Sequence, residues 1–259
     1  MNRIFTFLYG AVSYLVFLAS FLYAIGFVGN FIVPKSLDSP AKDPWLIALL
    51  IDLGLLSLFA LQHSIMARPA FKRIITRVIT KAAERSTFVL ASSIALSFLF
   101  WQWRPLGGTV WQVHNEVGTI LLYGGFAFGW LLVLFTTFVI NHFDLFGLRQ
   151  VWRHLQGKPQ VGLQFTTPVL YRIVRHPLYV GFFFAFWCAP VMTATHLLFA
   201  MATTAYILVA IQLEERDLMA AHPEYAAYRE QVPMIVPGMS GNIISAAIPS
   251  TTPSTAHEM

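Results

Sequence analysis

Residues 178–213 read LYVGFFFAFWCAPVMTATHLLFAMATTAYILVAIQL, thirty-six positions without a Lys, Arg, Asp or Glu. A membrane-spanning helix needs about 20 consecutive apolar residues, so this run is a little short of two full crossings. Pro190 and the polar Thr193-Ala194-Thr195-His196 interrupt it near the middle. A turn there yields a tight hairpin of two short helices. A strand reading fails because the run is too long and lacks period-two alternation.

Working outward, four further stretches have the same character. Ile4 to Pro34, Ser86 to Trp103 and Val117 to Phe143 carry no charge, and Trp45 to Met66 carries only Asp52. The pattern predicts an all-α integral membrane protein of about six transmembrane helices, four long ones followed by the short hairpin. Composition agrees. Of 259 residues 57% are apolar and 11% charged, against about 25% charged in a soluble domain, and the mean hydropathy is +0.64. Too little polar surface is left to cover a water-facing body, which excludes a soluble enzyme, a disordered chain and a fibrous repeat. The single cysteine, Cys188, lies in an apolar run and says nothing about redox compartment.

Basic residues set the orientation. Fourteen of the seventeen fall on one side if there are six crossings, and only Lys35, Lys42 and Arg104 on the other. Both termini are therefore expected in the cytoplasm, and the basic balance reads as topology rather than as a nucleic-acid surface. The apolar run after Arg3 is too long for a secretory signal and reads as a retained first helix. Between the second and third helices, Phe71, Ile74, Ile75, Val78 and Ile79 recur at helical spacing with most of the basic residues opposite, which predicts an interfacial helix on anionic lipid. Residues 1–237 read as one membrane domain. Residues 238–259, rich in Ser, Thr, Ala and Pro, read as a disordered tail. Membrane lipids are the expected surroundings, and the oligomeric state stays open, a homo-oligomer included.

Polar groups gather next to helix ends at one depth. They are Gln62-His63-Ser64 with Arg68; Asn141-His142-Phe143-Asp144 with Arg149; Tyr171-Arg172 with Arg175-His176-Pro177-Leu178-Tyr179; and Glu214-Glu215-Arg216-Asp217. Polar groups at such a depth are costly unless paired or lining a wet cavity, so their convergence predicts one site at the membrane boundary. Each also admits a structural role, since helix-end arginines reach for headgroups and a buried histidine can simply be hydrogen-bonded. His63, His142 and His176 lack the paired spacing of a zinc motif, so no metal is expected. Asp52 lies well along the second helix from this cluster and reads as hydrogen-bonded within the bundle. No Gly-rich dinucleotide fingerprint, phosphate loop or nucleophile elbow is present.

Arg175-His176-Pro177-Leu178-Tyr179-Val180-Gly181 matches the R-H-P-x-Y-x-G signature of the integral-membrane methyltransferases that include isoprenylcysteine carboxyl methyltransferase. Glu214-Glu215, Leu218, Tyr225, Tyr228, Val232-Pro233 and Pro237 then match that superfamily's ending. Gln62 to Pro69, Glu84-Arg85-Ser86, Phe100 to Pro105 and Asn141 to Gln150 narrow the resemblance to the bacterial methanethiol S-methyltransferases. The first of these segments is shared with a sister group of nitric-oxide-reduction-associated membrane proteins. One departure is Val169-Leu170 before Tyr171, where many members have Gly-Pro.

The resemblance implies cytoplasmic cofactor-binding loops and a C-terminal helix, with the cofactor motifs and hairpin inside residues 165–237. It also implies transfer of a methyl group from S-adenosylmethionine to methanethiol in the bacterial inner membrane. The cofactor set it points to is Arg175, His176, Pro177, Tyr179, Tyr171, Glu214 and Glu215. His63, Arg68, Asn141 and His142 are expected on the acceptor side as catalytic residues. The nucleophile must be a thiolate, and Arg68 and His142 are candidates for lowering its pKa. An isoprenylcysteine or lipid acceptor, or a non-catalytic accessory role in nitrogen-oxide metabolism, would use the same scaffold.

Overall fold

The computed structural model describes residues 2–161 and 168–238; apart from Gly238, the tail expected to be disordered lies outside them. Helix α1 (Arg3–Gly29) begins where the Asn2 side chain accepts from the Ile4 N–H at 3.2 Å, and it stops at Asn30, which adopts the left-handed conformation that ends helices. There follow α2 (Trp45–Ala67), α3 (Pro69–Ile75), α4 (Lys81–Gln102), β1 (Thr109–Gln112), α5 (Glu116–Ile140), α6 (His142–Leu145) and α7 (Leu148–Leu155). A 3₁₀ turn at Val169–Arg172 precedes α8 (Pro177–Trp187), β2 (Val191–Thr193), α9 (Ala194–Ala221) and α10 (Tyr225–Gln231).

Among the described residues five helices, α1, α2, α4, α5 and α9, are long and apolar enough to cross a membrane, and α8 is a shorter apolar helix. Leu8, Leu15 and Leu22 on α1, Leu46 and Leu50 on α2, and Ile120, Leu131 and Phe135 on α5 all project outward, more than half exposed. Such a surface would aggregate in water and is what a hydrocarbon environment requires. The chain is an all-α multi-pass membrane protein.

Two expectations need correction. The last helix is not short: α9 runs for 28 residues, straight through Glu214-Glu215-Arg216-Asp217. Charge marks where a helix leaves the hydrocarbon, not where it ends, and these residues are compatible with continued helix. Thr193 starts α9 as its cap, accepting from the His196 N–H at 3.0 Å. The interfacial helix is also not formed as expected. Pro69 opens a helix of only seven residues, and α4 already starts at Lys81. The β-branched run Ile74-Ile75-Thr76 weakens the helix there, and the Thr76 hydroxyl bonds back to the Lys72 carbonyl at 2.7 Å.

Helix α8 is held by small residues. A methyl group built on Gly129 of α5 would sit 2.6 Å from the Gly181 carbonyl oxygen, and one on Gly181 would sit 2.8 Å from the Gly129 carbonyl oxygen. The two backbones therefore touch directly, as small residues permit between membrane helices. Helix α1 packs on α4, where the Ser20 and Ser97 hydroxyls meet at 3.0 Å and Tyr9 donates to Thr87 at 3.0 Å. At the opposite end from the charged cluster, β1 and β2 pair antiparallel, Gln112 opposite Val191. Near that end Asp52 is fully buried and accepts from the Arg104 backbone N–H at 2.8 Å.

Candidate active site

The chemistry-bearing residues of α8 and α9 meet at one end of the bundle. Pro177 opens α8 and His176 stands at its cap position. Before it, the Arg175 N–H donates to the Pro233 carbonyl at 2.9 Å and the His176 N–H to the Met234 carbonyl at 3.2 Å, so the C-terminal segment runs alongside the entrance to α8. The side chains reinforce this. Arg175 Nε donates to Glu215 Oε1 at 2.7 Å, and its terminal amino group reaches the carbonyls of Arg229 and Val232 at 2.8 and 2.6 Å. His176 Nε2 lies 2.9 Å from the same Glu215 oxygen, and Arg229 Nε lies 3.3 Å from the other. Arg175, His176 and Glu215 are all buried. A carboxylate removed from water this completely is stable only because two guanidinium groups and an imidazole surround it.

One residue earlier on α9, Glu214 faces the other way. It is exposed, and the Tyr179 hydroxyl donates to its Oε2 at 3.1 Å. Burial, then the Glu214 charge, push the Tyr171 phenol above its usual pKa, so it stays a neutral donor. The Tyr171 carbonyl is held by the Tyr228 hydroxyl at 2.6 Å. Burial raises the Tyr228 phenol to about 12, against the opposing pull of Arg175. The expected cofactor set is therefore brought together but divided. Arg175, His176 and Glu215 bind one another, whereas Glu214 is exposed, held by Tyr179, and close enough to Tyr171 for its charge to be felt there.

The four residues expected on the acceptor side do not converge. Arg68, at the end of α2, donates to the Leu213 carbonyl at 3.4 Å and to Asp217 at 2.9 Å, tying α2 to α9. His63 stacks on Phe59, touches the Phe88 ring and lies 3.2 Å from the Ser92 hydroxyl. Asn141 and His142 stand apart from these, between α1 and α5. Asn141 breaks the helix with φ 151, a conformation an L-residue rarely takes, and caps α6 by accepting from the Asp144 N–H at 3.3 Å. With Phe7, Phe143, Leu148, Arg149 and Trp152 it lines a cleft of about 460 Å³.

His142 has both ring nitrogens engaged. The Thr137 hydroxyl gives its one proton to the Leu134 carbonyl at 2.6 Å, so the contact from His142 Nδ1 to Thr137 at 2.8 Å needs the histidine as donor. Nε2 then accepts from the Tyr14 hydroxyl at 2.9 Å. Burial holds this imidazole below its usual pKa, in keeping with a neutral ring. Among the described residues, no three His, Cys, Asp or Glu side chains are placed to share a metal ion.

Sequence reasoning assigned no role to Arg85, although Glu84-Arg85-Ser86 was one of the segments carrying the resemblance. Its Nε donates to the Leu145 carbonyl at 2.8 Å and its guanidinium lies 5.3 Å from the centre of the Phe88 ring. It joins the His63 side of the bundle to the loop that carries Asn141 and His142.

No protein-family model matches the chain, and no solved structure matches it. Curated proteins do. The chain is 57% identical over 238 residues to a methanethiol S-methyltransferase of Crocosphaera subtropica, covering 92% of this chain and 93% of that one. It is 51% identical over 238 residues to one of Mycobacterium tuberculosis, covering 92% and 98%. Nurim of Sus scrofa is a more distant relative, 30% identical over 230 residues that cover 78% and 87%. The fold and these likenesses define a multi-pass membrane methyltransferase. The chain belongs to the methanethiol S-methyltransferase family.

Proposed function

We propose that this protein transfers a methyl group from S-adenosylmethionine to methanethiol, giving dimethyl sulfide and S-adenosylhomocysteine, at the cytoplasmic boundary of a bacterial inner membrane. The observation that carries the reading is the exposed Glu214 carboxylate, bonded to Tyr179 at 3.1 Å, beside the buried Arg175–His176–Glu215 cluster. The names of the relatives supply methanethiol as the acceptor. The domain is taken as residues 1–237, crossing six times with α8 as a short fifth crossing. Both termini then face the cytoplasm together with fourteen of the seventeen basic residues.

The residues present fit such a donor. S-adenosylmethionine carries a sulfonium and an ammonium, and an open carboxylate flanked by tyrosine rings offers charge and ring faces to cations. Glu214, Tyr179 and Tyr171 would hold it. Arg175, His176, Pro177 and Glu215 would form the rigid wall behind them. When bound, the donor supplies an electrophilic methyl carbon on a cationic sulfur. The protein's own contribution is to fix the geometry: Tyr179 orients the Glu214 carboxylate, and the Arg175 contacts to Arg229 and Val232 hold the C-terminal segment against α8. In-line displacement gains much of its rate from such alignment. The acceptor is a small apolar thiol that partitions into lipid, so it can reach the boundary from the membrane while the donor arrives from water.

The test is headspace gas chromatography of membranes containing the protein, with methanethiol and with or without S-adenosylmethionine. Dimethyl sulfide is expected only when both are present. Methylation restricted to lipid or prenylated acceptors would overturn the reading of the acceptor. Reporter fusions at Met1 and after Pro237 test the orientation, and a periplasmic signal from either would overturn the six-crossing topology.

A further inference from the structure

We propose that Arg85 is the catalytic cation that holds the acceptor as its thiolate. The inference rests on the methyltransfer reading above and assigns the acceptor side of that same site. It starts from how the arginines are engaged. Arg68, Arg104, Arg149, Arg175 and Arg229 each lie within 4.0 Å of a carboxylate oxygen. Arg85 is half-buried near the same end of the bundle and, among the described residues, forms no such pair. Its Nε is tied to the Leu145 carbonyl at 2.8 Å and its plane rests by Phe88. Among the described residues its terminal amino groups carry no hydrogen bond. The side chain is thus fixed while its charge remains uncommitted, and a partly desolvated cation of this kind favours an anion beside it.

The surroundings suit a small, soft anion. From α2 the His63 ring packs against Phe88, beside the Arg85 guanidinium. Lys72 of α3 adds a second positive charge. Glu84 on the same helix and Glu214 on α9 are the carboxylates within electrostatic reach. Glu214 is also the open carboxylate bonded to Tyr179, so the charges of Arg85 and of the proposed donor site act on each other. Arg68 cannot fill this role as it stands, because its terminal amino group is paired with Asp217.

The step balances simply. The thiol proton leaves to water, and the thiolate sulfur beside Arg85 forms a new carbon–sulfur bond with its lone pair. The methyl–sulfur bond of the sulfonium donor breaks, and its electron pair stays on the donor sulfur, which becomes neutral. Arg85 stabilises the thiolate before transfer and so lowers the pKa of the bound thiol.

The experiment measures kcat for methanethiol against pH in membranes containing the wild type, Arg85→Gln and Arg85→Lys, with donor affinity measured in parallel by calorimetry. The kcat profile reports groups in the bound complex. Loss of a neighbouring cation should move its acidic limb up by roughly 1–3 pH units, a fall of about 10- to 1,000-fold at neutral pH that recovers in alkali. Arg85→Lys should restore much of the shift, and donor affinity should change little. A lower rate with an unmoved limb would mean that Arg85 only supports packing and would overturn the proposal. In the wild type, thiocyanate should compete with methanethiol but not with the donor; lack of competition overturns the proposal even if both variants misfold. A wild type that makes no dimethyl sulfide from methanethiol would remove the underlying methyltransfer reading, and this proposal with it.

Discussion

Glu214 and Glu215 are adjacent in the chain and serve different faces of α9. Glu215 is buried among Arg175, His176 and Arg229, whereas Glu214 is exposed and takes its hydrogen bond from Tyr179. Successive helical residues point about 100° apart, so one side chain can secure the fold while its neighbour meets a ligand.

The two glutamates should therefore fail differently. Glu215→Ala leaves two guanidinium groups without their carboxylate and should destabilise the protein by about 3 kcal/mol or more. Glu214→Gln should leave thermal unfolding in detergent nearly unchanged and weaken donor binding by roughly tenfold or more, the loss of one charged hydrogen bond. Calorimetric titration with S-adenosylmethionine distinguishes them; equal loss of stability in both variants would contradict this division.

The contact between α5 and α8 yields a graded series. Gly129→Ala and Gly181→Ala each force a methyl group into backbone atoms and should cost about 1–3 kcal/mol. Gly125→Ala meets the Cys188 side chain, which can move, and should cost less. Gly124→Ala meets nothing within 4 Å and should be close to neutral. Unfolding midpoints of the four variants in one detergent check the order.

His142 should make stability depend on pH below neutrality. Its unfolded imidazole titrates near 6.5, and burial lowers the folded value. As pH falls through 6.5 the unfolded chain takes up a proton that the folded protein resists, so stability is complete above that pH and declines below it. His142→Gln should flatten the decline in unfolding midpoint between neutral and acid pH. An equally steep decline in that variant would assign the effect to another group.

The Arg68–Asp217 pair is partly exposed on both sides, and such pairs contribute about 0.2–1 kcal/mol. A double-mutant cycle with Arg68→Ala and Asp217→Ala should give a coupling in that range. Arg68→Ala should also leave the acidic limb of the pH–rate profile where it is, in contrast to the shift expected for Arg85→Gln.

The long crossings were legible in sequence because freedom from charge over about 20 residues has few other meanings. The break at Thr193-Ala194-Thr195-His196 was legible because Pro190 and these polar residues interrupt an otherwise apolar run. The end of α9 was not: Glu214 to Asp217 mark the hydrocarbon edge, and the helix continues beyond it to Ala221. Nor was the pairing of Thr109–Gln112 with Val191–Thr193, since a short ribbon closed across some eighty intervening residues leaves little local periodicity. The motifs around His176 and Glu214 located one end of the site. They could not say which glutamate faces inward, because the rotation of α9 is set by what packs against it. Arg85 was hidden for the opposite reason: in sequence it is one basic residue among several next to a helix end, and only its hold on the Leu145 carbonyl and its place beside Phe88 set it apart.

At 11 residues α8 is about 16 Å long, roughly half of the hydrocarbon thickness. During synthesis it has too little apolar length to partition into lipid unaided. On the six-crossing reading its integration should depend on α5, whose backbone at Gly129 it packs against, and on α9, which is long enough to anchor it. The order of the genes' reading thus becomes an order of assembly. Released chains ending at Pro190, short of α9, should leave Cys188 open to water-soluble thiol reagents, and released chains extended through Ala221 should protect it. Obstructing the contact between α5 and α8 with Gly129→Leu should reduce that protection without changing how α1 to α4 insert.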